Sequence, residues 1–210
     1  MRGCSGCLVA LVSVGLVALA IGGVVGAGLR MLATPAAATL PATTAADGAR
    51  AQQKVFDLAR SRRLAQPITL SEAEVNALLS RHLVEARGVR LNALAVRLVG
   101  DDRVELTGQA PLRQLLDDAG LSPAAGVLPA RWRERPVWIH VGARVRVTPG
   151  PRRQLSLDVE DFAVGRQRLP ARALRLLLDP AAVGLLRWPL PEHVRSVSIE
   201  PGRVVIRGAS

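Results

Sequence analysis

The chain has 210 residues, is 49% apolar, carries a net charge of +11 at pH 7, and contains three Trp, two Phe and no Tyr. That length holds one ordinary domain beside a short accessory segment, and that apolar share excludes a largely disordered chain. All but one of the 28 basic residues are arginine; with no block longer than Arg62-Arg63 or Arg152-Arg153, and no base-stacking aromatics between them, they exclude a nucleic-acid surface.

Cys4 and Cys7 are the only cysteines. The remainder of the chain therefore has no disulfide and no thiolate metal site. Placed before an apolar run, CSGC suits acylation better than a lipobox or a redox motif. No charge falls between Leu8 and Leu29, with Arg2 before the run and Arg30 after it. At ~1.5 Å per residue such a run spans a hydrocarbon core ~30 Å thick. It exceeds the ~7–15 apolar residues of a cleaved signal peptide, so residues 8–30 are expected to remain as an anchor. Ala36-Ala37-Ala38 nonetheless has the form of a cleavage site. Arg2 and the amino terminus favour a cytoplasmic tail at 1–7 and a periplasmic bulk. The lipid bilayer is then the first partner, and the Gly22–Gly26 spacing permits a homodimer.

Residues 31–48, rich in Ala, Thr and Pro, read as a flexible tether before an extracytoplasmic domain at 49–210. Asp47 is expected to cap a helix over 49–63 with Ala51, Val55 and Leu58 inward, Phe56 beside them, and Lys54 outward. Ser71-x-x-Glu74 is a capping box, and Val75, Leu78, Leu79 and Leu83 form the stripe of the next helix. From Val89 the period becomes two. Leu94, Val96 and Leu98 face inward, Gly100-Asp101-Asp102 turns the chain, and Arg103–Thr107 returns with Arg97 opposite Glu105. A short helix over 111–119 and an irregular stretch at 120–135 lead to the clearest strand. There Val137, Ile139, Val141, Ala143, Val145 and Val147 alternate with Trp138, His140, Gly142, Arg144 and Arg146. Its partner carries Leu155, Leu157 and Val159, with Val147 opposite Leu155 and Arg144 opposite Asp158, and runs on through Phe162 and Val164 to Gly165. Leu169-Pro170 opens an apolar helix, interrupted at Asp179-Pro180. The last hairpin holds Val197 and Ile199, a Pro201-Gly202 turn, then Val204 and Ile206. The expected class is α+β: an N-terminal transmembrane helix plus a curved antiparallel sheet of about six strands in hairpins, packed with helices.

Chemistry is sparse. His82, His140 and His193 do not fall at metal-ligand spacing, and no nucleophile elbow or phosphate loop is present. No metal, cofactor or catalytic residue is therefore expected, and an unrecognised hydrolase would have to centre on His140. Most strand arginines face acids and read as surface pairs of ~0–1 kcal/mol. Arg131, Arg133 and Arg135, like Arg152 and Arg153, lack an evident acid and suit anionic lipid, where each basic residue contributes ~1 kcal/mol. The apolar sheet face fits either a solid core or a lipid groove lined by Val137, Ile139, Val141, Leu174 and Leu177.

Four stretches, AQQKVFDLAR, LSEAEVNALLSRHL, VGRQRLPARAL and VSIEPGRVVIRG, together resemble the YpmS-like family of single-span bacterial membrane proteins, whose function is unknown. The resemblance spans about residues 50–210. It implies an extracytoplasmic domain on an N-terminal anchor in the cell inner membrane, and a plan similar to tubular lipid-binding folds. It carries over no catalytic residue. The matching positions Glu74, Asn76, Gly165 and Pro170 have structural roles: a cap, a helix start, a turn and the step into a helix. The expected function is a membrane-anchored binding or structural protein of the cell envelope, with a lipid-binding or lipid-transfer module and a periplasmic hydrolase as the alternatives.

Overall fold

The computed structural model describes residues 23, 26–35, 41–60, 66–82, 93–118, 120, 122–148, 153–173 and 187–208. Most of the apolar run, Cys4, Cys7, Gly22, Ala36-Ala37-Ala38, Leu83, Leu174, Leu177 and Asp179-Pro180 lie outside the described residues. Among those described, no helix is long and apolar enough to cross a membrane.

Helix α1 covers Ala45–Arg60, starting a turn earlier than expected. Thr44, not Asp47, is its cap. The Asp47 amide donates to Thr44 Oγ1 (3.2 Å), while Asp47 Oδ2 accepts from the Thr44 amide and hydroxyl (2.9 and 2.7 Å). This is a capping box with aspartate in the third helical position. Its hydrogen bonds with Thr44, reinforced by the Arg50 charge, outweigh partial burial and hold Asp47 below the ordinary carboxylate range. The inward stripe is also rotated from the expected one. Asp47, Gly48 and Ala51 are buried and Lys54 and Leu58 half-buried, whereas Val55 and Phe56 are exposed.

Strand β1 (Ile68–Ser71) leads into helix α2 (Glu72–His82). The Ser71/Glu74 box forms as expected: the Glu74 amide donates to Ser71 Oγ (3.2 Å) and the Ser71 amide to Glu74 Oε2 (2.8 Å). Strands β2 (Ala93–Gly100) and β3 (Arg103–Pro111) follow. Helix α3 (Leu112–Asp118) is the short helix expected over 111–119, whereas helices α4 (Ser122–Val127) and α5 (Ala130–Arg133) occupy the stretch expected to be irregular. Then come β4 (Pro136–Thr148), β5 (Gln154–Val164), β6 (Gln167–Leu169), a 3-10 turn at Ala171–Ala173, β7 (Arg187–Pro189), β8 (Val194–Glu200) and β9 (Arg203–Gly208).

All pairings are antiparallel, and the class is α+β. The strands divide into two sheets, where hairpin order alone predicts one. The larger runs β2-β3-β4-β5, with β6 and β7 pairing opposite ends of β5; the smaller runs β1-β9-β8. The closing hairpin lies outside the large sheet and pairs through β9 with β1, a strand that periodicity over four residues does not reveal. Its turn is tied to the end of β2 and the start of α2: the Gly202 amide donates to Leu98 O (2.9 Å) and the Glu72 amide to Gly202 O (2.9 Å).

The registers match expectation where side chains alternate cleanly, with Arg97 opposite Glu105, Val147 opposite Leu155 and Arg144 opposite Asp158. A bulge at Gly142/Ala143 adds Glu160 to the β5 side. Arg144 consequently bonds Glu160 (2.9 Å) rather than Asp158, which pairs with Arg146 (3.0 Å).

One face of the large sheet is apolar. Val96, Leu98, Val104, Ala143 and Val145 pack under Val75 and Leu79 of α2 and Ile199 of β8. At the opposite end Ala110, Val137, Phe162 and Val164 pack with Leu115 of α3 and with Met31 and Leu32. A third cluster of Ala51, Leu70, Val194 and Ile206 joins α1 to the small sheet.

Strand β2 is an edge of the large sheet, and α2 closes it with side chains. Asn76, 3% exposed, donates through Nδ2 to Val96 O (2.7 Å) and accepts at Oδ1 from the Val96 amide (2.6 Å). The Leu98 amide donates to Glu72 Oε2 (2.8 Å). A primary amide offers one donor edge and one acceptor, the same pair a neighbouring strand would present, so Asn76 stands in for one residue of a missing strand. Asn76 is thus more than a helix start.

Candidate functional site

The end of the large sheet that holds Val137 is where the chain arriving from the apolar run meets the domain. Residues 26–31 are helical, and Met31 and Leu32 pack on the Val137–Phe162–Val164 cluster. The anchoring contact is backbone to backbone. The Arg166 amide donates to Arg30 O (2.8 Å), and the Gly165 amide to Trp138 O (2.6 Å). Gly165 turns β5 into β6 at φ +58°. A Cβ there would overlap the carbonyls of Arg30 and Met31, so glycine is required both for the turn and for the close approach.

Gly165→Ala is therefore expected to undock the 26–35 segment. In detergent-solubilised protein, trypsin should cleave at Arg30 several-fold faster, with about 1–2 kcal/mol lost from the domain. Unchanged cleavage would show that the segment is not held there.

The same end gathers arginines. The β3–β4 pairing finishes at Pro111 opposite Pro136, and the Leu112 amide donates to Arg135 O (3.0 Å), which sets α5 beside α3. Arg113 approaches two carboxylates, Asp117 at 3.6 Å and Glu134 at 3.9 Å. Arg30, Arg131, Arg135 and Arg166 are exposed and Arg133 half-buried, and none forms an ion pair among the described residues.

Of the expected groove residues, Val137 is 1% exposed, Ile139 and Val141 are half-buried in the same cluster, and Leu174 and Leu177 lie outside the described residues. Arg131, Arg133 and Arg135 are thus brought to the end where Val137 lies. Arg30 and Arg166 join them, although the sequence does not single them out. The flank of the apolar run and Gly165 in the VGRQRLPARAL stretch were the available signals, but nothing local relates two positions so far apart in the chain.

Several other polar side chains make contacts within the fold. His140, half-buried on the polar face, lies 3.3 Å from the Thr107 hydroxyl through Nδ1. His193 Nε2 lies 2.9 Å from Leu58 O. A carbonyl only accepts, so that nitrogen carries the proton and fastens the end of α1 to the loop before β8. On the polar face Arg103 contacts Asp161 and Glu160, while Arg144 and Arg146 take Glu160 and Asp158. The Arg144 hydrogen bond, with the charges of Arg144, Arg103 and Arg146, holds Glu160 below the usual carboxylate range despite some desolvation. Glu160 in turn raises Arg144. Among the described residues, no group of three or more histidine, cysteine or acidic side chains could hold a metal ion.

No family model matches the chain, and neither a curated protein nor a solved structure does.

Proposed function

We propose that the protein is a single-pass inner-membrane protein whose α+β domain faces the periplasm and serves the cell envelope as a binding or structural module rather than as a catalyst. The observation that carries this reading is the docking of residues 26–32 on the domain. An uncharged run long enough to cross a bilayer ends in a helical turn whose Arg30 carbonyl accepts from Arg166 and whose Met31 and Leu32 join the core. A domain fastened this close to the end of its anchor stays at the bilayer surface. The described polar side chains support a non-catalytic role, because the buried ones cap helices or close a sheet edge.

In cells, the full chain is expected to fractionate with the inner membrane and to resist alkaline carbonate. Its domain should become protease-sensitive when the outer membrane is removed. Extraction by carbonate, or protection of the domain in spheroplasts, would refute the reading.

A further inference from the structure

We propose that the end of the domain formed by the β5–β6 turn and α5 lies flat on the bilayer and binds the phosphate groups of anionic lipids. The inference deepens the membrane-anchored reading above and rests on it. Three independent features converge on this end.

The first is the point of attachment. The Arg166–Arg30 hydrogen bond places the β5–β6 turn immediately after the apolar run, so this end of the sheet is the one closest to the headgroups. The second is charge. Arg30, Arg131, Arg133, Arg135, Arg166 and Arg168 are grouped here, and among the described side chains the carboxylates of Asp117 and Glu134 are both within reach of Arg113. On strands β2 to β5, by contrast, each arginine has an acid: Arg97 has Glu105, Arg103 Asp161, Arg144 Glu160 and Arg146 Asp158. A guanidinium offers a planar fork that fits phosphate oxygens in pairs, so unmatched arginines facing headgroups gain hydrogen bonds as well as charge attraction. The third is the tryptophans. Trp132 lies between Arg131 and Arg133 on α5, Trp138 is the third residue of β4, and both are half-buried at this same end. Amphipathic indoles beside basic residues are the usual composition of a membrane–water boundary. Trp188, the third, pairs with Leu155 at the other end of β5.

The attraction is electrostatic and acts within about one Debye length, ~10 Å at 0.1 M salt. It therefore depends on headgroup charge and on ionic strength, while insertion of the apolar run depends on neither.

The test uses the full chain carrying Trp138→Phe and Trp188→Phe, so that Trp132 reports alone. It is reconstituted in nanodiscs of phosphatidylcholine, or of equal parts phosphatidylcholine and phosphatidylglycerol, each with lipids brominated close to the headgroup. Quenching of Trp132 should be at least about two-fold stronger with phosphatidylglycerol and should weaken at high salt. Arg131→Gln, Arg133→Gln and Arg135→Gln together should abolish that difference, and Arg195→Gln, on the small sheet, should leave it. Equal quenching in both nanodiscs, or equal loss from Arg195→Gln, overturns the docking while the anchored reading stands. A chain that fails to insert overturns both.

Discussion

Replacing Asn76 by aspartate is expected to remove about 4 kcal/mol from the unfolding free energy, more than the ~3 kcal/mol expected for Asn76→Ala. The amide has three bonds: from Nδ2 to Val96 O (2.7 Å) and Glu72 O (2.8 Å), and from the Val96 amide to Oδ1 (2.6 Å). Alanine leaves the Val96 amide and carbonyl without partners at a buried edge. Aspartate is nearly isosteric but aims a carboxylate oxygen at two carbonyls, so repulsion adds to the lost donors. The two substitutions differ again in acid. Once protonated, the carboxyl introduced by Asn76→Asp regains a donor for Val96 O, so the deficit of that variant relative to wild type should shrink as pH falls, whereas that of Asn76→Ala should not. Urea unfolding at neutral and mildly acidic pH measures both. A change below ~1 kcal/mol for Asn76→Asp would mean that α2 does not hold the edge of β2.

The second large effect is expected at Lys54. The only lysine of the chain donates to Thr69 O (2.7 Å) and to both oxygens of Glu74 (2.8 Å each). The Glu74 side chain is 4% exposed, and Arg50 approaches it only to 3.6 Å. Lys54→Met therefore strands a buried carboxylate and should cost about 3 kcal/mol. Glu74→Gln should cost less, because the Lys54 side chain is 38% exposed and its ammonium can turn to water. The double variant Lys54→Met, Glu74→Gln should recover much of the loss. Lys54→Arg keeps the charge but replaces a compact three-donor ammonium with a planar fork, and loses about 1 kcal/mol with the Thr69 bond. Additive single and double losses in denaturant unfolding would rule the coupling out.

Glu74 also sets a pH dependence. Burial opposes its ionisation, but donation from Lys54 and the Ser71 amide, with the charges of Lys54 and Arg50, prevails and holds it below its ordinary value of 4.5. A carboxylate whose folded value is depressed stabilises fully above its unfolded value and loses that contribution as pH falls toward the folded one. The stability gap between wild type and Glu74→Gln should thus be constant above pH 4.5 and close below it.

What the amino-acid order determined by itself is what short-range periodicity encodes. Strict alternation from Val137 to Val147 and from Leu155 to Val159 specified both strands, their inward face and the Val147–Leu155 register, since a one-residue slip would expose every valine. Ser71 and Glu74 announced their cap because both partners lie within one helical turn. Only the tertiary structure decided the rest. The hairpin of Val197 to Ile206 formed a separate sheet with β1, remote in sequence. Lys54 turned inward because Glu74 waited there, and Asn76 found its partner at Val96, twenty residues on. Arg30 met Arg166 across most of the domain. Each of these depends on a hydrogen bond or ion pair closed between distant segments, whose worth exists only once burial has removed the water that would otherwise satisfy both groups.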